Sequence, residues 1–148
     1  MGEAAKQFEE LPIEISSVTP EMLDHVWSSQ IEMIERGLRH GQGNDVTSDD
    51  MLAGILLGRW LMWVIHRGTD IIAIVVLSVI TTPRKKKLFV ELIAGRDLPS
   101  WYVQLHDLLI DFKEVIGADC IEASCRPGLA KYLSEMGWSK KATIMELV

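Results

Sequence analysis

A ten-residue apolar run, from Ile71 to Ile80, constrains the fold more than any other feature of this sequence. A helix that crosses a membrane needs about 20 apolar residues, and the charged side chains of Arg67 and Asp70 precede this run. Because both faces of the run are apolar, it is typical of a central strand that is covered on both sides. The sequence therefore predicts a soluble protein built around one buried strand.

Two further strands flank this run, and turns connect them to it. The strand at Trp60–Ile65 comes first, and the segment Arg67–Asp70 has the composition of a hairpin turn. A second turn at Pro83–Lys87 leads into a strand at Leu88–Ala94. These segments predict a meander of three strands.

Two helices are predicted before the meander. The first begins at Thr19, a hydroxyl N-cap that is followed by proline, and ends near Gly37. The second opens at Thr47, where Asp50 resembles the third residue of a capping box, and runs through about Leu57. The glycine-containing segment between them, residues 40–44, is a loop.

The last third of the chain predicts a strand between helices. Pro99 and Ser100 start a long helix with a buried apolar stripe, and Gly117 ends it. The elements that follow are a strand, a helix and a closing strand, at Cys120–Cys125, Pro127–Met136 and Lys141–Val148. With a short strand at Ile13–Val18, the order is β-α-α-β-β-β-α-β-α-β. This order predicts an α/β domain whose mixed sheet has helices on both faces.

Length and charge limit the organisation and the partners. The 148 residues suit one domain, residues 13–148, after a flexible lead-in at 1–12. The net charge of −6 excludes nucleic acid and anionic membranes as expected partners. Four scattered histidines predict no metal site, and His106 is expected to be solvated. Residues 1–10 hold no apolar signal-peptide core, so we expect a cytoplasmic protein.

The element order, together with the segment from Arg126 to Trp138, resembles the GNAT acyltransferase superfamily. That segment is similar to the family's helix that runs into a terminal glycine–aromatic pair. The resemblance implies that the fourth strand and the next one splay apart and that acyl-coenzyme A enters the gap. The chain also looks similar to the short, degenerate GNAT-like proteins that bacteriophages encode.

The resemblance assigns cofactor binding to the turn after the fourth strand. The family carries an Arg/Gln-x-x-Gly-x-Gly/Ala signature there, whereas the segment Ala94–Ser100 has one glycine and one arginine. Its Asp97 would repel phosphate, and Pro99 lacks an amide donor. The residues that the resemblance implies for acetyl-coenzyme A are Leu92, Ala94, Gly95, Arg96 and Ser100.

The resemblance also suggests acid and base candidates. The family's tyrosine general acid corresponds to Leu133, and the neighbouring Tyr132 is turned by about 100° along the helix, so we expect it to pack in the core. Glu91, on the fourth strand, matches the family's general base. The alternative is that Glu91 lies on the wetter face of the strand. Glu122, on the neighbouring strand, has the same two interpretations.

Three other features have open roles. The basic turn at Arg84–Lys87 is either a solvated loop tip or a contact for an acidic partner. Trp60 and Trp63 should lie on opposite faces of their strand, and one of them is a candidate for lining a groove or an interface. Cys125 is either a small buried residue or a nucleophile that pairs with a histidine.

Two hypotheses for function follow from the resemblance. In the first, the chain is an enzyme that transfers an acetyl or acyl group from coenzyme A to the amine of an unknown small-molecule or protein acceptor. In the second, the chain is an inactive GNAT-like domain that serves in binding or assembly. The second hypothesis implies self-association, or a phage or host protein partner, and a place in the virion.

Overall fold

Five strands form one mixed sheet with the apolar run at its centre. The computed structural model describes residues 11–40 and 45–148, so the predicted lead-in lies outside the described residues except for positions 11 and 12. The strands are β1 Ile13–Ser17, β2 Trp60–Arg67, β3 Asp70–Thr81, β4 Lys86–Gly95 and β5 Cys120–Ala123. The helices are α1 Pro20–Ser29, α2 Ile31–His40, α3 Ser48–Leu56, α4 Tyr102–Ile116 and α5 Pro127–Glu135.

The strands lie side by side in chain order, β1-β2-β3-β4-β5. The first four pair in antiparallel fashion, and β5 pairs in parallel with β4. The middle strand β3 is buried from Ile72 to Ser78, which confirms the central strand expected from the apolar run. None of the described helices is both long and apolar enough to span a bilayer.

Each face of the sheet has its own hydrophobic core. On one face Trp101, Leu105 and Leu109 pack against the sheet, which brings α4 onto it. On the other face α1, α2 and α3 supply the core, for example with Ile34. Trp63 belongs to the α4 core and Trp60 packs against the other one, so the two tryptophans lie on opposite faces as predicted.

A β-bulge interrupts the alternation of β4. The register pairs Val76 with Leu92 and Leu77 with Val90, so Glu91 is the extra residue on β4. Val90 packs in the α4 core, whereas Leu92, two residues later, packs in the core of α1–α3. A regular strand would put residues two apart on the same face. The bulge therefore exchanges the two faces of β4 at Glu91.

The first predicted helix is divided into α1 and α2 at Gln30, so the expectation of one continuous helix was wrong. Gln30 leaves the helical conformation, with φ −114° and ψ 15°. The Ser29 hydroxyl donates to the carbonyl of Val26 at 3.1 Å. A serine that bonds back to the preceding turn bends or weakens a helix, which accounts for the division.

Gly37 does not end a helix, contrary to the prediction, because α2 continues to His40. A Cβ on Gly37 would lie 2.6 Å from the Cβ of Ala94 and 2.8 Å from Cδ1 of Leu92. The glycine is therefore a packing residue, whose missing side chain lets α2 approach β4 closely.

The helix expected from Pro99 and Ser100 begins later than predicted. Leu98–Ser100 forms a single 3-10 turn, and α4 starts at Tyr102. Between them Trp101 has a non-helical φ of −137°, and its indole Nε1 donates to the carbonyl of Arg96 at 2.8 Å. This bond holds Trp101 under the turn and separates the two helical segments.

The closing strand predicted at Lys141–Val148 is not formed. Residues 139–148 have no regular structure, and their apolar side chains are exposed, with Met145 at 89%. The strand before α5 is also shorter than predicted, ending at Ala123. Alternating residues form a stable strand only beside a hydrogen-bonded neighbour. This segment instead meets the sheet through one side chain, the ammonium of Lys141 on Glu122.

The capping box at Thr47 is confirmed. The Asp50 amide donates to the Thr47 hydroxyl at 3.1 Å, and the Thr47 amide donates to the Asp50 carboxylate at 3.0 Å. These two bonds lower the pKa of Asp50 below its ordinary value. The pair fixes the start of α3.

Candidate functional site

Strands β4 and β5 separate at the bulge. Their pairing begins at Lys87 with Cys120 and ends at Val90 with Ala123. Beyond that point β4 continues for five residues to Gly95, and β5 has already ended. Half of the peptide groups in this stretch point toward the β5 side, where the described part of the chain provides no strand neighbour. A cleft opens there.

The cleft is lined from both faces of the sheet and has a volume of about 130 Å³. Its floor is β4 from Val90 to Gly95. Helix α2 borders it on one face, and Leu98 and Trp101 border it on the face of α4. Sites for drug-sized ligands have volumes of roughly 300–1,000 Å³, so this cleft suits a slender chain better than a whole nucleotide.

Glu91 lies where the cleft begins. Its half-buried side chain lines the cleft, and the Ser78 hydroxyl donates to its Oε1 at 2.7 Å. Ser78 is only 6% exposed and is the buried polar residue of the core. Glu91 is therefore held in place at an accessible site rather than pointing freely into solvent. Its role as a base remains a hypothesis.

The residues that the resemblance implies for the cofactor divide into two groups. Leu92, Ala94 and Gly95 line the cleft beside Glu91. Arg96 and Ser100 do not line it, and both are exposed. The Arg96 guanidinium instead binds the Asp70 carboxylate at 2.8 Å.

Two backbone amides of the turn after β4 donate hydrogen bonds to carbonyl groups of the protein itself. The Arg96 amide donates to the Ile72 carbonyl at 3.0 Å, and the Ser100 amide donates to the Asp97 carbonyl at 2.9 Å. Asp97 has a φ of 60°, a left-handed conformation that usually belongs to glycine. A family-type phosphate cradle needs free amides that point at the ligand. In this turn those two donors already have partners.

Three basic residues that the sequence patterns did not indicate line the cleft: Arg36, His40 and Arg126. Arg36 and His40 are four residues apart on α2, so they share one face of the helix. That spacing is visible in the sequence, but the assignment of Gly37 as a helix end removed His40 from the helix. Arg126 is the N-cap residue of α5, on the opposite wall.

Cys125 lines the cleft as a free thiol. Burial raises the pKa of this thiol, which favours the neutral thiol over the nucleophilic thiolate. The structure therefore argues against Cys125 as a nucleophile. Tyr132 does not line the cleft, and it is half-buried outside both hydrophobic cores, with its ring edge-to-face with Tyr102 at 5.0 Å.

Two other candidates have structural partners. His106 is half-buried, and the Trp138 indole donates to its Nε2 at 2.8 Å, so the histidine is bound within the protein on one side rather than fully solvated. Glu122 binds Lys87 at 3.2 Å and also Lys141. The hydrogen bond from Lys141, with a smaller contribution from Lys87, lowers the pKa of Glu122. This carboxylate serves the sheet rather than the cleft.

The basic turn at Arg84–Lys87 is partly structural. The Lys86 ammonium donates to the carbonyl of Ile116 at the end of α4, at 2.6 Å. Lys87 is the partner of Glu122, so half of the run stabilises the contact of the sheet with β5 and α4. Arg84 and Lys85 are exposed. Across the described ranges, no cluster of His, Cys, Asp and Glu side chains is arranged to hold a metal ion.

No protein-family model matches this chain, and no curated protein matches it. Its structure is similar to that of a GCN5-related N-acetyltransferase from Ralstonia eutropha JMP134, with 16% identity, a TM-score of 0.67, and coverage of 92% of this chain and 98% of that one. A predicted acetyltransferase with acetyl-CoA from Clostridium acetobutylicum gives 11% identity and a TM-score of 0.68, over 92% and 96% of the two chains.

A third solved structure is a ribosomal-protein-alanine N-acetyltransferase from Brucella melitensis biovar Abortus 2308. It gives 12% identity and a TM-score of 0.68, over 92% of this chain and 97% of that one. Because these identities are low, the similarity concerns the fold. The chain has the α/β GNAT fold that the sequence predicts, over nearly its whole length.

Proposed function

We propose that this protein is an N-acyltransferase that uses acyl-coenzyme A, and that the two substrates meet in the cleft beside Glu91. One observation carries the proposal. The sheet opens at the same residue, Glu91, that presents a positioned carboxylate to the opening. The solved structures of similar fold include acetyltransferases, one of them with acetyl-CoA.

The cleft fits the slender arm of the coenzyme. The exposed edge of β4 offers peptide groups, and the apolar side chains of Leu98, Trp101 and Leu129 line the opposite side. Amide groups of the arm would pair with the strand edge as a further strand does. For the phosphates, the turn itself offers Arg96, which first has to leave Asp70. Both side chains of that ion pair are exposed, so the release costs little.

Acyl-coenzyme A supplies an activated acyl group as a thioester: a C–N bond to the acceptor forms, the C–S bond breaks, and the coenzyme leaves as the thiol. The amine nitrogen loses one proton in this exchange. Glu91 accepts that proton and returns it to solvent, from which the departing sulfur takes one up, so the protons balance. The Ser78 hydroxyl keeps the carboxylate oriented, and general base catalysis of this kind contributes roughly 100- to 10,000-fold.

The proposal can be tested by calorimetric titration with acetyl-CoA and by protection of Cys125. In a Cys120→Ser variant, Cys125 is the single thiol of the chain. We expect acetyl-CoA to slow its alkylation by N-ethylmaleimide, because Cys125 lines the cleft. Adenosine 3′,5′-bisphosphate lacks the arm and serves as the control that leaves alkylation unchanged. Absence of binding at millimolar acetyl-CoA would rule out the proposed acyltransferase function.

A second candidate function is a GNAT-fold domain for binding or assembly without coenzyme. The observation that favours it is the turn after β4, where the Arg96 and Ser100 amides and the Arg96 guanidinium are already bound within the protein. The resemblance to degenerate bacteriophage proteins belongs with this candidate, as does a location in the virion. Light scattering over a range of concentrations distinguishes the two, since an assembly protein should associate without acetyl-CoA.

A further inference from the structure

The face of α2 that borders the cleft carries positive charge. Met33, Arg36 and His40 recur at helical spacing, and all three line the cleft. Within residues 11–40 and 45–148, no carboxylate lies within ion-pair distance of the Arg36 guanidinium. An arginine thus faces the cleft without an acidic partner from the described chain.

Within the described residues, several basic side chains of this acidic protein have acidic partners, whereas Arg36, like the exposed Arg39 and Arg84, has none. Lys87 and Lys141 bind Glu122, and Arg96 binds Asp70. With 21 acidic and 15 basic residues, the chain has more carboxylates than cationic side chains. A guanidinium is suited to bind a planar carboxylate or a phosphate through two parallel hydrogen bonds. Arg36 differs from Arg39 and Arg84 in that it lines the cleft, so an anion that enters the cleft can bind it.

The helix that carries Arg36 is held firmly. Its neighbour Gly37 packs directly on Ala94 and Leu92 of β4. The same strand carries Glu91, so the guanidinium and the carboxylate are mounted on two elements in direct contact. This contact fixes the backbone positions of the two residues relative to each other, which lowers the conformational entropy lost when a ligand binds both.

The two sides of the cleft suit different ligands. The turn after β4, with Leu98 and Trp101, lies on the α4 face, where the proposed function places the coenzyme. The α2 face, with Arg36 and His40, is left for the acceptor. Glu91 lies on the floor between the two sides.

We propose that the acceptor is a small amine that also carries an anionic group, a carboxylate or a phosphate. Arg36 binds the anion, with His40 one turn further along α2 as an additional donor, and the amine nitrogen faces Glu91. This inference rests on the proposed function for the identity of the reaction, but the anion site itself can be measured without it.

The test compares amines that carry an anionic group with neutral amines of the same carbon skeleton. Release of free thiol from acetyl-CoA is measured with 2-aminoethyl phosphate and glycine, and with their neutral counterparts ethanolamine and glycinamide. For at least one of the two pairs, kcat/KM of the anionic amine should exceed that of its neutral counterpart by roughly 10- to 100-fold, as expected for a charge-assisted hydrogen bond. The phosphate and carboxylate pairs show which anion is preferred.

Arg36→Gln should abolish that preference, and Arg39→Gln should keep it. Arg39 is an exposed arginine on the same helix that does not line the cleft, so it is the matched control. Equal rates with charged and neutral amines would overturn the proposal. So would identical behaviour of the two arginine variants.

Binding of the same four amines to the full chain, measured by calorimetry, separates this proposal from the proposed function. Suppose that acetyl-CoA does not bind, that an anionic amine does, and that Arg36→Gln weakens binding of this amine at least 10-fold. The anion site is then supported, and the proposed acyltransferase function is rejected. If Arg36→Gln weakens binding of acetyl-CoA itself, the anion is the coenzyme phosphate and the proposal is overturned. Absence of binding and turnover with all four amines overturns it as well.

Discussion

At the scale of single residues, Glu91 owes its position to the bulge rather than to the ordinary alternation of a strand. As the extra residue of β4, it lies between two stretches that face opposite cores. The hydroxyl of Ser78, a residue that is buried in the core, donates a hydrogen bond to its carboxylate and orients it. Bulges often direct a side chain into an active site in this way.

Replacing Glu91 with Gln should lower kcat by roughly 100- to 10,000-fold, because the amide cannot accept the proton of the amine. The dissociation constant of acetyl-CoA should change little, since the shape of the cleft is kept. Ser78→Ala should lower kcat by a smaller factor, roughly 2- to 10-fold, because it removes one hydrogen bond to the carboxylate. Thiol release and calorimetry measure the two quantities. A Glu91→Gln variant that loses acetyl-CoA binding would contradict the assignment as a base.

The ion pair of Arg96 with Asp70 gives a second prediction at this scale. Asp70→Asn should free the guanidinium and tighten acetyl-CoA binding by roughly 2- to 5-fold, because an exposed ion pair is worth about 0–1 kcal/mol. Arg96→Ala should weaken binding. Calorimetric titration measures both effects. Unchanged affinity in the two variants would show that Arg96 does not contact the coenzyme.

At the scale of secondary-structure elements, the contact of α2 with β4 decides the geometry of the cleft. Gly37→Ala should destabilise the fold by about 1–3 kcal/mol, because its Cβ would overlap Ala94 and Leu92. Gly128→Ala, in α5, is the matched control. A Cβ there meets no atom within 4 Å, so the change should stabilise by about 0.4–1 kcal/mol. Urea unfolding measures both, and a shift of the same sign in the two variants would contradict this explanation.

Most of the elements could be predicted from the sequence because their signals are local. The apolar run gave β3, and the Thr47–Asp50 box gave the start of α3. The predictions that were wrong concern residues whose conformation depends on tertiary contacts. Gly37 has the composition of a helix end, yet it is a packing contact. The residues 141–148 alternate like a strand, yet they have no paired neighbour.

The candidate site was predicted in part for the same reason. The family resemblance implied Leu92, Ala94 and Gly95, and the structure brings them to the cleft with Glu91, while their binding of a cofactor stays a prediction. The bulge depends on the register between β3 and β4, which no single segment encodes. Arg36 and His40 come to the cleft only because α2 packs on β4. Side chains supplied by a neighbouring element are thus the ones that pattern analysis misses.

At the scale of the whole molecule, Glu122 connects the last residues of the chain to the sheet. Hydrogen bonds from Lys141 and Lys87 lower its pKa from the ordinary 4.5. A carboxyl whose pKa falls on folding stabilises the folded state at pH values above its unfolded pKa, and this contribution disappears as the pH falls through the folded pKa. The fold should therefore lose stability on acidification below about pH 4.5, where the unfolded chain first takes up the proton.

This pH dependence can be measured by urea unfolding between pH 3 and pH 7. The difference in the free energy of unfolding between the native chain and Glu122→Gln should be largest at neutral pH and shrink in acid. Lys141→Gln should reproduce part of it, because the hydrogen bond from Lys141 is the main cause of the lowered pKa. A difference that stays constant with pH would show that Glu122 acts through packing alone.

The cleft that is lined from both faces of the sheet has a consequence for the order of events in turnover. With the coenzyme on the α4 face and the acceptor on the α2 face, as proposed, both substrates can be bound at the same time. Burial raises the pKa of the Cys125 thiol, which disfavours the thiolate that a covalent acyl carrier would need. Initial velocities should therefore give intersecting double-reciprocal lines rather than parallel ones. Free coenzyme should compete with acetyl-CoA, because both would occupy the same side of the cleft.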